Sequence, residues 1–246
     1  MDEQFSRSAL LLGEDSINRL SAAKIAVFGV GGVGGYCVET LTRAGIGTLH
    51  LYDDDTVSKS NLNRQIAALH STIGRPKAEV MAERVRDINP ACEVQAIRMF
   101  YLPANAGEVD LSQYDYVVDC IDTVSAKLEL ICRCTDLNIP IISAMGTGNK
   151  LDPSALQVSD INKTSGCPLA RVMRKELRKR SIEHLKVVWS TEEPRTPLQP
   201  IQAETPANDT RPGSTARRDT PGSLPFVPAA AGLLLASAVI RDLIGE

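Results

Sequence analysis

The stretch from Lys24 to Gln65 constrains the fold of this 246-residue chain more than any other. It holds a strand-like run at 24–28, a glycine-rich turn, an amphipathic run at 33–44, and a second strand-like run at 48–53 that ends on an aspartate. Strand, glycine turn, helix, strand and acid follow one another in the order that a nucleotide-binding βαβ unit requires. The sequence therefore predicts a nucleotide site where these two strands end.

The glycines of the turn have separate physical roles. We expect Gly29 to allow the tight turn and Gly31 to let backbone N–H groups approach a phosphate or a ribose. We expect Gly34 to let the helix pack closely on the first strand. Asp53, at the end of the second strand, is placed to accept hydrogen bonds from ribose hydroxyls, although it could instead cap a turn in its Asp-rich loop.

Strand and helix patterns alternate beyond this unit, with a buried helix face expected at 77–88. Further strands are predicted at 94–100, 116–120 and 139–144, a weak helix at 104–109, and a helix at 125–137. Later strands at 155–158 and 186–190 flank a helix at 168–180, and one short helix is expected near 15–20. The predicted fold class is α/β: a Rossmann-like, doubly wound, mostly parallel sheet with an added C-terminal αβ region.

The organisation predicted from these patterns is a single domain over 1–246. Its nucleotide-binding core is expected at 24–145, and 146–193 together with 224–246 would supply the substrate and dimer region. Residues 194–223 are rich in Pro, Thr and Ser and poor in apolar side chains, which predicts a disordered loop. The stretch 224–244 is apolar, but its prolines and small residues favour a buried helix over a membrane span.

Composition narrows the classes of partner. The net charge of −3 gives no global sign of nucleic-acid binding, and aromatic residues make up only 4% of the chain, which argues against a base-stacking sheet surface. The six cysteines form no C-x-x-C pair, which argues against a structural zinc site and favours reduced thiols in the cytoplasm. The N-terminus does not have the pattern of a signal peptide.

One helix carries a local basic stripe. The helix predicted at 168–180 places Arg171, Arg174, Lys175 and Arg178 along one face, opposite apolar residues at 169, 172, 173 and 177. Such a stripe suits nucleic-acid backbone phosphates in an otherwise acidic chain, although it could equally be a solvated helix face. It is the only indication of nucleic-acid binding that the residues themselves give.

The polar residues after the second strand separate two kinds of nucleotide chemistry. The glycine turn and Asp53 alone would also fit an NAD-dependent oxidoreductase or a catalytically silent nucleotide-binding module. Activation of a carboxylate by ATP needs cations near the phosphates and an acid to hold Mg²⁺. Arg64 and Lys77 suit the first requirement and Asp122, just past the strand at 116–120, suits the second. Taken alone, Lys77 could be a solvated lysine and Asp122 a helix cap.

Several segments resemble the ThiF-type adenylating superfamily, relatives of the ubiquitin-activating enzymes. The similarity covers residues 5–150 and lies in GVGGVG, DDDTVSKSNLNRQ, GRPKAEVMAERVRDINP and DCIDT. The later segments LARVMRKELRKRSI, VVWSTEEP and GSLPFVPAAAGLLLASAVIRDLIG look like the branch that dehydrates threonylcarbamoyladenosine in tRNA. Two positions depart from the family pattern: Thr123 stands where Asn is common, and Cys167 where this branch usually has Asp.

The resemblance implies a set of residues that contact ATP and one that binds Mg²⁺, Asp122. The full candidate set for ATP is Gly29, Gly31, Gly32, Gly34, Asp53, Asp55, Asn61, Arg64, Gln65, Lys77, Asp122 and Thr123. The catalytic candidates are Arg64, Lys77, Asp122 and Arg7, the last reaching a phosphate from the partner subunit of a homodimer.

The implied reaction is ATP-dependent ring closure of a threonylcarbamoyl group on an anticodon-loop adenosine of tRNA. Because the attacking nitrogen belongs to the same modification, ring closure needs no thioester cysteine. The alternative is adenylation of the C-terminal glycine of a ubiquitin-like sulfur carrier. The resemblance leaves open whether a sulfur-transfer protein also binds.

Overall fold

The computed structural model describes residues 2–198 and 221–246. Most of the predicted loop at 194–223 lies outside these residues. One seven-stranded sheet has the order β3-β2-β1-β4-β5-β7-β6. Its strands are β1 Lys24–Phe28, β2 Thr48–Tyr52, β3 Glu93–Ile97, β4 Tyr116–Asp119, β5 Ile141–Ala144, β6 Leu156–Asp160 and β7 Lys186–Ser190. Six strands run parallel and β6 pairs antiparallel to β7 at one edge, which confirms the predicted mostly parallel sheet.

Helices cover both faces of the sheet. They are α1 Ser6–Leu12, α2 Glu14–Ala22, α3 Gly34–Arg43, α4 Lys77–Ile88, α5 Val124–Asp136, α6 Pro168–Arg178 and α7 Phe226–Ile244. In β1, Ile25 and Val27 pack with α2, α3, α4 and α7 on one face, while Ala26 and Phe28 pack with α5 on the other. Both sets are fully buried, which is why the strand reads as one continuous apolar run. The doubly wound class is confirmed.

The N-terminal region and the stretch after β3 differ from the sequence prediction. Two helices, α1 and α2, stand where one was expected, separated at Gly13 with φ 79°. The helix predicted at 104–109 is a single 3₁₀ turn at Ala106–Glu108. Asn105 explains this, because its side chain accepts from the backbone N–H of Leu102 at 2.8 Å and donates to the carbonyl of Phe100 at 2.9 Å. These local bonds compete with a helical backbone.

The apolar C-terminal stretch forms α7, a helix of the core. By length and composition alone it could cross a membrane, yet half of its most apolar 18-residue stretch is buried inside the fold. A Cβ added at Gly232 would lie 2.4 Å from the carbonyl oxygen of Val33, so α7 and the start of α3 touch backbone to backbone. The helix therefore packs directly against the end of the glycine turn, which agrees with the interpretation of 224–244 as a buried helix.

Candidate active site

The main cleft opens at the carboxyl ends of β1, β2 and β4. The strand order reverses between β1 and β4, because β2 and β3 follow β1 on one side and β4 lies on its other side. Doubly wound sheets bind ligands at this position. The cleft has a volume of about 660 Å³. The predicted residues that line it are Gly29, Gly31, Gly32, Gly34, Asp53, Asp55, Asn61, Arg64, Gln65, Lys77, Asp122 and Thr123. The structure thus brings the whole predicted ATP set to one place.

Two glycines of the turn are required by close backbone approaches. Gly29 has φ 86°, and a Cβ there would lie 2.8 Å from the carbonyl oxygen of Cys120. A Cβ on Gly34 would lie 1.8 Å from the carbonyl oxygen of Gly29, so no larger residue could begin α3 at this position. The turn therefore presents the N-terminus of α3 to the cleft, where the helix dipole favours an anion.

Asp53 is fixed by the glycine turn and by its own loop. Its Oδ2 accepts from the backbone N–H of Val30 at 2.8 Å, and its Oδ1 accepts from the backbone N–H of Asp55 at 2.9 Å. Burial raises the pKa of this carboxyl group, and the charge of Lys77 together with the two N–H donors works against that rise. The turn-capping role and a role in ligand binding are compatible, because a carboxylate can accept more bonds than these two.

Lys77 begins α4 and points at the neighbouring acid. Its Nζ lies 2.8 Å from Oδ2 of Asp55, whose side chain is 48% exposed, while the Lys77 side chain is 7% exposed. The alternative that Lys77 is a solvated surface lysine is therefore wrong. A cation at a helix N-terminus opposes the helix dipole, and Asp55 compensates for this.

The polar run after β2 folds into a compact turn. Oδ1 of Asn61 accepts from the backbone N–H of Ser58 at 3.0 Å, which assigns this buried side chain a structural role as well as a place in the cleft wall. Within the described ranges, Oε1 of Gln65 is buried without a hydrogen-bond partner. Because Gln65 lines the cleft, this acceptor suits a hydroxyl or amino group of a ligand.

Arg64 leaves the same turn towards the cleft. Its Nη1 donates to the carbonyl of Ser60 at 3.0 Å and to Oδ1 of Asn63 at 2.9 Å. Partial burial lowers the pKa of its guanidinium, which nevertheless stays charged at neutral pH. Both acceptors are neutral, so the positive charge is not compensated by them and is suited to an anionic ligand.

A buried ion pair that the sequence did not reveal shapes the loop that carries Asp122. Nζ of Lys127 lies 2.9 Å from Oδ2 of Asp119, and both side chains are completely buried. Lys127 also donates to the carbonyl of Ile121 at 2.8 Å, and Oδ1 of Asp119 accepts from the N–H of Ile121 at 3.0 Å. Asp122 itself is exposed at the cleft, and Thr123, not Asp122, is the N-cap residue of α5.

The cleft also has an aromatic side that the low aromatic content did not suggest. The rings of Phe28 and Tyr52 stack with centroids 4.3 Å apart and an interplanar angle of 5°. Tyr101 meets Phe28 edge to face, and all three residues line the cleft. The three residues are buried, at 0%, 6% and 4% exposed, so their rings support the cleft wall from within the core.

A family model described as "ThiF family" matches residues 5–246. The chain belongs to the ThiF family. It is 41% identical over 247 residues to tRNA threonylcarbamoyladenosine dehydratase of Bacillus subtilis, covering 100% of this chain and 96% of that protein. The Escherichia coli protein of the same name is 43% identical over 176 residues, covering 72% of this chain and 66% of that one. The crystal structure of the E. coli enzyme with ATP has a TM-score of 0.86 at 34% identity, covering 99% of this chain and 94% of that chain.

Two sets of predicted residues in this ThiF-family chain lie away from the cleft. Arg7 is exposed on α1 and is not among the residues that line the cleft of its own chain. On α6, the side chain of Arg174 turns back to donate to the carbonyl of Thr164 at 2.9 Å and is partly buried. Arg171, Lys175 and Arg178 are exposed. The apolar face predicted for this helix was wrong at one position. Val172 is 44% exposed, because the buried residues of α6 are Ala170, Met173 and Leu177.

The cysteines are free thiols, most of them buried, as expected. Cys120 lines the cleft, but burial and the charge of Asp119 raise its pKa to about 12, so it is protonated at neutral pH. Cys167 is the N-cap residue of α6 and is buried without a side-chain capping bond. Cys120 is therefore not in the thiolate form that covalent catalysis requires.

Proposed function

We propose that this chain uses ATP to adenylate the carboxylate of threonylcarbamoyladenosine in tRNA and then closes it into a ring. The observation that carries the proposal is the arrangement of the cleft. Asp53, Arg64, Lys77 and the starts of α3, α4 and α5 all line it. A carboxylate for the ribose together with two cations and three helix N-termini for phosphates suits a nucleoside triphosphate.

In the proposed reaction Asp53 accepts a hydrogen bond from the ribose of ATP. An oxygen of the substrate carboxylate attacks the α-phosphorus, and the bond from that phosphorus to the β-bridging oxygen breaks to release pyrophosphate. Lys77 and Arg64 stabilise the negative charge that develops on the phosphates. A nitrogen of the same modification then attacks the acyl carbon, its N–H proton is released to water, and AMP leaves with the carboxylate oxygen.

A magnesium ion fits this site only in combination with the nucleotide. Within the described residues no group of three or more His, Cys, Asp or Glu side chains could hold a metal ion. Mg²⁺ at nucleotide sites is usually held by one or two carboxylates together with phosphates and waters. Asp122, exposed at the cleft beside the start of α5, is the carboxylate that would hold it. The ion would neutralise charge on the phosphates.

The homodimer belongs to the same proposal. Leu10 and Leu11 on α1 are 89% and 84% exposed, which leaves an apolar surface on the helix that also carries Arg7. Burial of these side chains against a second copy would bring Arg7, on the same helix, to the dimer interface. Sedimentation should give a dimer for the native protein, and Leu10→Glu with Leu11→Glu should give a monomer if α1 forms the interface.

The tRNA would be bound through Arg171, Lys175 and Arg178 of α6, with Arg174 contributing less because Thr164 already holds it. We expect the protein to act in the cytoplasm, with α7 packed in the core and not in a membrane. Whether a sulfur-transfer protein also binds can be tested by pull-down with the purified candidate.

The experiment that tests the function measures AMP release with two possible stimulants, beside the binding of nicotinamide nucleotide. Release stimulated by tRNA that carries threonylcarbamoyladenosine, with appearance of the cyclic nucleoside in mass spectrometry, would support the proposal. Stimulation by a ubiquitin-like carrier protein instead would support the alternative substrate. Nicotinamide nucleotide binding without ATP binding would refute both. Asp122→Ala should abolish AMP release, and turnover within a few-fold of the native rate would overturn the assignment of the metal ligand.

A further inference from the structure

The loop after β5 joins two distant parts of the chain through one residue. Asn149 has φ 60°, a left-handed conformation that Asn tolerates better than most residues. Its carbonyl accepts from the backbone N–H of Arg195 at 2.8 Å. Its N–H donates to the carbonyl of Gly222 at 2.7 Å, and its Oδ1 accepts from the N–H of Gly222 at 2.6 Å. Asn149 therefore fixes the segment 221–223 by bonding both the N–H and the carbonyl of Gly222.

This segment forms part of the cleft wall. Pro221 and Ser223 line the cleft, and Pro221 packs against Gly148, where an added Cβ would lie 2.8 Å from the Pro221 Cβ. The carbonyl of Ser223 accepts from Nδ2 of Asn63 at 2.9 Å, which joins the segment to the polar turn after β2. Residues from three distant parts of the sequence thus meet in one continuous set of hydrogen bonds.

The side chain of Asn63 connects the segment 221–223 to Arg64 by two hydrogen bonds. An amide side chain has a donor end and an acceptor end, and only one orientation satisfies both of its neighbours here. When Nδ2 donates to Ser223, Oδ1 faces Nη1 of Arg64 at 2.9 Å and accepts from it. The carbonyl of Ser223 therefore determines which way the acceptor for the guanidinium points.

We infer that Asn149 and Asn63 are positioning residues that, through Gly222 and Ser223, hold the Arg64 guanidinium in place for the triphosphate. The inference rests on the proposed function, in which Arg64 contacts the phosphates of ATP. Neither asparagine needs to touch ATP for this role. Their contribution is to limit the positions that a long, flexible arginine side chain can occupy, so that less order is lost when the nucleotide binds.

The test is a double-mutant cycle read out by ATP–pyrophosphate exchange and by calorimetric binding of ATP. Asn149→Gly keeps the left-handed backbone but removes Oδ1, and it should lower both kcat/KM for ATP and ATP affinity about 3- to 10-fold, the effect of one neutral hydrogen bond. In the Arg64→Ala background the same substitution should change ATP affinity by less than about 1.5-fold. An equal loss in both backgrounds would overturn the inference.

Three further variants separate positioning from general stability. Asn149→Asp keeps the acceptor and should restore native kcat/KM, while Asn138→Gly, at a left-handed turn residue outside the cleft with φ 56°, should leave activity unchanged. Asn63→Ala changes an exposed residue, so the protein should fold even if Asn149→Gly does not. The loss of ATP affinity that Asn63→Ala causes should also vanish in the Arg64→Ala background.

If Arg64→Ala alone leaves ATP affinity and exchange unchanged, the proposed role of Arg64 fails. If Arg64→Ala impairs both but the losses add, only the positioning role fails.

Discussion

Two lysine–aspartate pairs have almost the same geometry and different surroundings. Lys77 and Asp55 lie 2.8 Å apart at the cleft wall, and the Asp55 side chain is 48% exposed. Lys127 and Asp119 lie 2.9 Å apart beneath the adjoining loop, and both side chains are 0% exposed. The nitrogen–oxygen distance alone therefore does not distinguish them, whereas access to water does.

The difference in burial separates a structural pair from one that can take part in chemistry. Asp119 also accepts from Ser143 Oγ at 2.5 Å and from the N–H of Ile121, and Lys127 donates to the carbonyl of Ile121, so the buried pair holds a backbone geometry. Lys77 is itself nearly buried, but it faces a carboxylate that water can solvate, so Asp55 stays hydrated when the ammonium turns to a phosphate. We therefore expect loss of the buried lysine to lower mainly stability and loss of the cleft lysine to lower mainly activity.

The largest expected effect is on stability at the buried pair. Lys127→Met leaves Asp119 charged and unpaired in the core, which should lower the free energy of unfolding by about 3–5 kcal/mol. Urea denaturation followed by circular dichroism measures this loss. The double variant Lys127→Met with Asp119→Leu removes both charges and should recover most of the stability. A loss below about 1 kcal/mol for the single variant would contradict the role of the pair as a structural support.

At the cleft pair the expected effect is on catalysis. Lys77→Met should lower the rate of ATP-dependent AMP release about 10²- to 10³-fold, because it removes a cation from the charge that develops on the phosphates. The free energy of unfolding should change by less than about 1 kcal/mol, since Asp55 remains solvated. Lys59→Met, at an exposed lysine of the preceding polar turn, is the matched control and should change neither quantity. A large loss of stability in Lys77→Met would erase the contrast between the pairs.

Asp53 provides a third, intermediate case through its pH dependence. Burial raises its pKa while the charge of Lys77 lowers it. A carboxyl group with a raised pKa holds its proton in the native state where the unfolded chain has lost it, so its contribution to stability increases as the pH falls through that pKa. ATP affinity should fall over the same interval, because a protonated Asp53 accepts hydrogen bonds poorly.

Calorimetric binding of ATP between neutral and mildly acidic pH measures this dependence. In Lys77→Met the interval over which affinity falls should move to higher pH, because the charge that lowers the pKa of Asp53 is gone. Asp53→Asn should bind ATP more weakly at neutral pH and without that pH dependence. An unchanged pH interval in Lys77→Met would show that Lys77 does not act on Asp53.

The same contrast explains what the sequence could and could not predict. The glycine turn, Asp53 and Lys77 are signalled by local patterns, since each lies at the end of an apolar run or at the start of a helix. Lys127 lies inside a helix pattern and looks like an ordinary exposed residue. Its burial depends on Asp119 and Ser143, which belong to two separate strands, and only the folded sheet brings them together. The Asn149–Asn63 connection was missed for the same reason.

The smallest expected effect concerns the thiol that lies in the cleft. Cys120 directly follows Asp119 of the buried pair. Burial together with the charge of Asp119 raises the pKa of its thiol to about 12, so almost none of it is thiolate at neutral pH. Cys120→Ser should therefore change the rate of AMP release by less than about threefold, and iodoacetamide at neutral pH should leave the native rate unchanged. Cys92→Ser, at a buried cysteine away from the cleft, is the control for the substitution itself. Loss of activity in Cys120→Ser alone, with ATP binding intact, would contradict direct ring closure and favour a covalent acyl intermediate on that sulfur.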